Sequence, residues 1–291
     1  MCMYDVIIIG GGPAGLSAAI NLKIRNKEFI WFGADAGSVK VEKSEKIANY
    51  PGLGLIRGAD LNERFRQHAA ELGIAPTDKM VTNISKLKDK YMVLADNEIY
   101  EAQAILLATG VVTAKGFDQE ADYVGRGVSY CATCDGMFYK GKTIAVFCGD
   151  KRYEHEVEYL AGIAEKVYLY PGYKDCQISL PNVERLPSPI KAVAGGLKIG
   201  QVRLTDGSEI TIDGLFVLRG AIAPTTLLPG LALEGPHIVV DRELATNLPG
   251  CYAAGDCTGR PYQIAKAVGE GNIAAHSILD YLAEQAKASQ N

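Results

Sequence analysis

The sequence predicts an α/β protein of two Rossmann-like, three-layer, dinucleotide-binding-type domains, the second inserted into the first. Two observations carry that expectation. A plan of strand, glycine-bearing loop, helix and strand occurs twice along the 291 residues, and glycine-rich helical sequence resumes after the second copy. Strands alternating with helical stretches indicate parallel sheets, and the late return of first-domain sequence places the middle of the chain inside the first domain. The expected spans are 1–113 with 244–291 for the first domain and 114–243 for the second, with crossings near 112–115 and 241–247.

The chain opens on Val6-Ile7-Ile8-Ile9, a β-branched run suited to a strand covered on both faces. Residues 14–22 carry a helical apolar pattern, and 28–32 read as the next strand. Further strands are expected over 80–87, 91–95 and 98–103, the last two joined by an Asp96-Asn97 turn, and a separate apolar strand over 104–108. The plan repeats with a strand over 143–147, a helix over 154–164 and a strand over 166–170. Strands over 197–204 and 209–212 flank an Asp206-Gly207 turn, and 215–218 closes the unit. Residues 253–282 return to glycine-rich and helical sequence, and the polar tail after Ala283 is expected to fray.

Composition narrows the function classes. Hydrophobic residues make up 48% and charged residues 22%, ordinary for a soluble globular protein, and the net charge is -4. No Lys/Arg-rich run stands out, which argues against nucleic acid as a partner. No apolar stretch approaches the roughly 20 residues that span a bilayer, so no membrane association is expected. The N-terminus lacks the pattern of a secretory signal, and the cytoplasm is the expected compartment. Of the 7 cysteines, Cys2, Cys148, Cys176, Cys251 and Cys257 are scattered and read as buried or inert thiols. Only Cys131 and Cys134 form a close pair. The 4 histidines are dispersed and suggest no metal site.

Gly10, Gly12 and Gly15 fit G-x-G-x-x-G directly after a strand and before a helix, with Pro13 and Ala14 between the last two. In that arrangement Gly10 permits a tight turn, Gly12 lets backbone approach a pyrophosphate, and Gly15 allows close helix–strand packing. The helix N-terminus then offers free N–H groups and the positive end of its dipole. Asp35, just past the second strand, stands where an acid can hold a ribose hydroxyl, or else is an exposed loop acid. The motif alone does not choose between NAD and FAD. Ala108-Thr109-Gly110, at the end of an apolar strand, resembles the A-T-G strand end of two-dinucleotide-domain flavoproteins. Ala253-Ala254-Gly255-Asp256 is similar to their second flavin signature, in which the aspartate bonds the ribityl chain. Asp256 could otherwise serve as a cap for the segment that follows. These resemblances imply FAD.

Ser129-Tyr130-Cys131-Ala132-Thr133-Cys134-Asp135-Gly136 is the stretch that points to redox chemistry. C-x-x-C forms a small-ring disulfide when one thiolate is stabilised and the other is in reach. An adjacent acid, Asp135, can move the proton that dithiol chemistry sheds or recovers. The bland alternatives are half of a structural zinc site, for which no second pair exists, and two buried thiols. Residues 125–136, G-R-G-V-S-Y-C-A-T-C-D-G, resemble the active-site segment of low-molecular-weight thioredoxin reductases. The glycine loop, A-T-G, C-A-T-C-D-G and A-A-G-D all occur in that family's order. Residues 269–275 resemble its closing helix under the flavin. The resemblance implies that Cys134 lies against the flavin, Cys131 attacks the thioredoxin disulfide and Asp135 is the acid/base. It also implies a homodimer, and it adds Asn49, Gln263 and Ile264 to the candidate FAD contacts.

The second domain departs from the family. After its first strand the chain has Cys148-Gly149-Asp150-Lys151-Arg152-Tyr153-Glu154, with a single glycine and bulky residues where backbone should meet pyrophosphate. The next strand runs into Pro171, and the paired-basic motif for an NADPH 2′-phosphate is absent. Electrons are therefore expected from elsewhere. Ferredoxin-dependent flavin thioredoxin reductases are similar in keeping FAD and C-x-x-C while lacking the NADPH motifs. Flavin suits that task, because it accepts electrons singly and releases a pair. Lys40, Lys43 and Lys46, or Lys140, Lys142, Lys151 and Arg152, are candidate ferredoxin contacts or else solvated mixed-charge faces. Competing readings are an NAD(P)H enzyme with an unfamiliar nucleotide site, a dithiol oxidase that passes electrons to oxygen, and a flavin-bound redox sensor without turnover.

Overall fold

The computed structural model describes residues 3–96, 98–111, 116–219 and 224–288; the side chain of Cys134 lies outside the described ones. The chain divides into two compact units, Met1–Val112 with Ala223–Asn291, and Thr113–Ile222.

The first unit opens with β1 (Met3–Ile9), α1 (Pro13–Ile24) and β2 (Phe29–Phe32), followed by α2 (Val39–Glu42) and α3 (Gly58–Glu71). Val6, Ile7 and Ile8 are fully buried because β1 runs parallel between β2 and β5 (Glu98–Leu107), which follows β3 (Val81–Leu87) and β4 (Lys90–Ala95). The expected separate strands over 98–103 and 104–108 are one strand. No turn residue divides them, and the two ends of β5 have different partners. Its outer end is antiparallel to β4, and its inner end is parallel to β1. Helix α3 was not anticipated, because its Leu61, Phe65 and Ala69 are a sparse apolar stripe in a polar segment.

The second unit contains β6 (Val128–Ser129), α4 (Ala132–Asp135), β7 (Thr143–Cys148), α5 (Glu154–Ile163), β8 (Lys166–Pro171) and β9 (Val183–Arg185). An antiparallel set follows, β10 (Ile190–Gly195), β11 (Ile199–Leu204) and β12 (Glu209–Thr211), before β13 (Gly214–Leu218). The main sheet is parallel throughout, in the order β6-β13-β7-β8-β9.

The chain is back in the first unit from residue 223 rather than 244. Apolar residues explain the earlier return. Leu227 in α6 (Pro224–Leu227) and then Leu228 and Leu231 are buried, and Ile238 is buried in the hairpin of β14 (Leu233–Glu234) and β15 (His237–Ile238). The Asn247 side chain ties this segment down, accepting from Ala232 N–H at 2.9 Å and donating to Gly230 O at 2.8 Å. The first expected crossing, 112–115, lies outside the described residues. β16 (Cys251–Ala253) adds a parallel strand beside the inner end of β5, and α7 (Ile264–Ala288) packs on α1. The tail expected to fray beyond Ala283 is helical to Ala288, since alanines, Glu284, Gln285 and Lys287 are good helix formers.

Candidate functional site

From β1 the chain turns to β2 on one side, while β5 lies on the other, so the C-terminal end of β1 is a topological switch point. The glycine loop sits there. Gly10 has φ +125°, and a Cβ on it would lie 2.1 Å from Ala108 O. A Cβ on Gly15 would lie 2.0 Å from Gly10 O, an oxygen that also accepts the Trp31 indole N–H at 2.8 Å. These two glycines are needed for packing. Gly12 differs: it precedes α1 with no side-chain cap, and nothing lies within 4 Å of where its Cβ would be. Pro13 opens the helix, and the Ala14 and Gly15 N–H groups have no acceptor within it. Beside the loop, the Thr109 hydroxyl is buried with no partner, and Gly110 has φ +66° with open space around it. An unfilled backbone cradle, free helix N–H groups and an unpartnered hydroxyl suit a phosphate-bearing dinucleotide.

Other candidate contacts surround this end of the first unit. The Asp35 carboxylate is held by Arg66, with Nε at 2.9 Å and Nη2 at 2.6 Å from Oδ2, and this hydrogen-bonded partner keeps it below the usual carboxylate range. Asn49 Nδ2 donates to Gln263 Oε1 at 2.8 Å, joining two candidates 214 positions apart. Gly255 (φ +91°) puts its Cα hydrogen against Ala14, and Asp256 faces Lys40 Nζ at 3.4 Å. Ile264 begins α7. Two residues unmarked in the sequence reading hold this loop. Lys266 Nζ donates to Gly255 O, Thr258 Oγ1 and Gly259 O at 2.6, 2.8 and 2.9 Å. Glu270 accepts from Gly255 N–H and Thr258 Oγ1, each at 2.8 Å, and pairs with Lys266 at 3.0 Å. Their signal in the sequence was the i,i+4 Lys–Glu spacing beside Gly255-Asp256.

The cysteine loop lies in the second unit. β6 runs into α4, and Cys131 is disulfide-bonded. Ser129, at the end of β6, donates its hydroxyl to Asp135 Oδ2 at 2.6 Å and accepts Cys131 N–H at 3.1 Å. One hydroxyl thus ties the candidate acid/base to the backbone of the candidate nucleophile. Cys148, Cys176, Cys251 and Cys257 are free and buried, as expected of the scattered thiols, and Cys2 lies outside the described residues. Burial pushes the thiols of Cys251 and Cys257 up to about 12.

At the corresponding switch point of the second unit, beyond β7, two carboxylates flank the loop that leads into α5. Asp150 accepts Arg152 N–H at 3.1 Å, capping the 151–153 turn, and Tyr153 is buried. Glu154, the first residue of α5, accepts Tyr173 O–H at 2.5 Å and Gln177 N–H at 3.1 Å. Two carboxylates stand where a pyrophosphate would need positive potential.

The chain resembles known oxidoreductases over nearly its whole length. The model of the pyridine nucleotide-disulphide oxidoreductase family matches residues 4–150 and 185–271. The thioredoxin reductase of Listeria innocua is 32% identical, over 98% of this chain and 96% of its own. That of Helicobacter pylori is 32% identical over 96% and 99%. Among solved structures, a ferredoxin-flavin thioredoxin reductase from Clostridium acetobutylicum superposes with a TM-score of 0.89 at 40% identity, covering 100% of both chains. The atypical thioredoxin reductase of Desulfovibrio vulgaris Hildenborough gives 0.69 at 32% identity, covering 97% of this chain and 99% of its own. The chain belongs to the pyridine nucleotide-disulphide oxidoreductase family, as a thioredoxin reductase-like oxidoreductase.

Proposed function

We propose that this chain is a FAD-dependent disulfide reductase that takes electrons from reduced ferredoxin and delivers them through a Cys131–Cys134 pair to thioredoxin. The observation that carries the donor assignment is the loop after β7, where a nucleotide's phosphates would meet the carboxylates of Asp150, bonded to Arg152 N–H, and of Glu154 at the start of α5. The ferredoxin-flavin enzyme of Clostridium acetobutylicum, similar over the whole chain, supports it. FAD would be held by the Gly10–Gly15 loop, Thr109, Gly110 and the Gly255-Asp256 loop, and when bound it supplies a carrier that accepts single electrons and releases pairs.

The chain's own residues perform the exchange. The Cys131 thiolate attacks one sulfur of the thioredoxin disulfide, forming a mixed disulfide and releasing the other sulfur as a thiolate. Cys134 then attacks the Cys131 sulfur, re-forming the pair and releasing reduced thioredoxin. Asp135, held by Ser129, gives and takes the protons of these steps. The same reading makes the enzyme a cytoplasmic homodimer.

The deciding experiment is anaerobic flavin absorbance of the purified protein with NADPH, NADH or enzymatically reduced ferredoxin. Bleaching by ferredoxin alone, reversed by oxidised thioredoxin, is the expected result. Bleaching by either nicotinamide overturns the donor assignment, and peroxide release on turnover with a small thiol would replace it with a dithiol oxidase.

A further inference from the structure

Among the described residues, Glu120 and Arg219 are the buried charged side chains, 3% and 9% exposed, and they meet beside the residue that precedes Cys131. Glu120 Oε1 accepts both the Tyr130 O–H, at 2.6 Å, and Arg219 Nη2, while Oε2 accepts Phe117 N–H at 2.9 Å. The Arg219 guanidinium also stands over the Tyr130 ring, 5.7 Å from its centre. Its Nε is buried without a partner. Gln119, immediately before Glu120, holds a left-handed backbone at φ 64°, unusual for a residue with a side chain.

An apolar trio of similar volume could match such an arrangement for stability, because burying two charges costs about as much as their attraction returns. What the polar trio adds is a fixed geometry. It joins three segments: the start of the second unit at Glu120, the strand end leading into Cys131, and the exit from β13 at Arg219. Both charged partners lie just inside the points where the chain passes between the units. With Ser129 bonded to Asp135 and Tyr130 bonded to Glu120, the two residues before Cys131 are each anchored through a side chain.

We propose that Tyr130, Glu120 and Arg219 are positioning residues that set the approach of Cys131 and tie the redox loop to the first and last described segments of the second unit. The proposal rests on the reading of Cys131 and Cys134 as the redox pair. A displacement of about 1 Å at a reacting atom lowers rates by as much as ~100-fold, so small releases of this clamp are measurable.

The test compares the FAD-loaded parent with Tyr130→Phe, Arg219→Met and Arg219→Lys. Each variant is followed by thioredoxin reduction, by the active-site disulfide potential in thiol redox buffers, and by melting temperature. Tyr130→Phe is expected to lower kcat about tenfold with KM for thioredoxin within about twofold. The disulfide equilibrium should shift by about tenfold, about 30 mV. Arg219→Lys should recover part of what Arg219→Met loses. Variants that keep parent kcat and potential overturn the proposal. So does an activity loss that follows only the fraction unfolded, with the parent potential intact. A parent that leaves thioredoxin oxidised would sink the functional reading instead, while the potential would still test the clamp.

Discussion

In the proposed mechanism Cys131, Asp135 and Ser129 divide the chemistry among a nucleophile, a proton carrier and the hydroxyl that bonds to both. Cys131→Ser should abolish thioredoxin reduction while leaving flavin content unchanged; normal turnover in that variant would contradict its assignment. Asp135→Asn keeps a hydrogen-bond acceptor for Ser129 but cannot carry the proton. A fall of about 10²–10⁴ in turnover is expected, the range for losing a general acid–base group, with the thiol–disulfide equilibrium measured alongside. At this scale the sequence was informative where chemistry is local: C-x-x-C-D names its own reagents. Ser129 stands in the same stretch but has no role in the pattern, because its bond to Asp135 crosses a strand-to-helix turn. Asp35 was read as a ribose ligand or an exposed loop acid, and the sequence did not show that Arg66, 31 positions away, holds its carboxylate. Such partners depend on where α3 folds back, which no local pattern states.

Helices α1 and α7 pack closely where the glycine loop runs into α1, and this approach explains why one glycine in a Gly-x-Gly pair matters. A Cβ on Gly271 would lie 2.1 Å from Ala14 O, whereas one on Gly269 meets nothing within 4 Å. Gly271→Ala must therefore push α7 away from the residue that follows Pro13 in the cradle. The expected cost is about 1–3 kcal/mol, together with weaker FAD retention, read by urea denaturation and by flavin release. Gly269→Ala should instead stabilise the helix by roughly 0.5–1 kcal/mol. Equal effects of the two substitutions would refute this account of the helix packing. The sequence showed two glycines in a helix and could not rank them, since the ranking lies in the distance between two helices 250 positions apart. Strand β5 was misread for a related reason. Its two halves serve different neighbours, so its pattern changes midway without any break in the chain. α3 was missed because its apolar residues are few and become an identifiable face only once the sheet exists.

Across the whole molecule, burial and charge set two further responses. Free thiols unfolded in water ionise near pH 9, but burial pushes Cys148 up to about 11 and Cys251 and Cys257 to about 12. Above pH 9 the unfolded chain loses protons that the folded chain keeps. Stability is thus fully present below pH 9 and declines as pH rises toward 11–12, by up to roughly 1.4 kcal/mol per pH unit for each thiol. Urea midpoints between pH 8 and 10.5 should fall, and fall less for Cys251→Ala than for the parent; parallel curves would show that this thiol stays neutral in both states.

The second response concerns the proposed donor. A chain of net charge -4 repels an acidic iron–sulfur protein at long range, so association needs a local positive face. Of the two candidate sets, the one at Lys40, Lys43 and Lys46 is partly engaged, because Lys40 faces Asp256 and lies over the Tyr262 ring. Lys140, Lys142, Lys151 and Arg152 are exposed and belong to the second unit, with Arg152 paired to Asp150 and Lys142 over the Tyr139 ring. Neutralising them leaves Lys40 beside Asp256 undisturbed, so they are the set to neutralise first. Screening lengths shrink from about 30 Å at 0.01 M salt to 3 Å at 1 M. Changing all four to glutamine should slow flavin reduction by ferredoxin at least about tenfold in dilute buffer and change it little in molar salt. Flavin reduction by dithionite should be unaffected at either ionic strength. A rate that ignores both the substitutions and the salt would remove this face as the docking site and return attention to the lysines around α2, where Lys43→Gln and Lys46→Gln leave the contact between Lys40 and Asp256 in place.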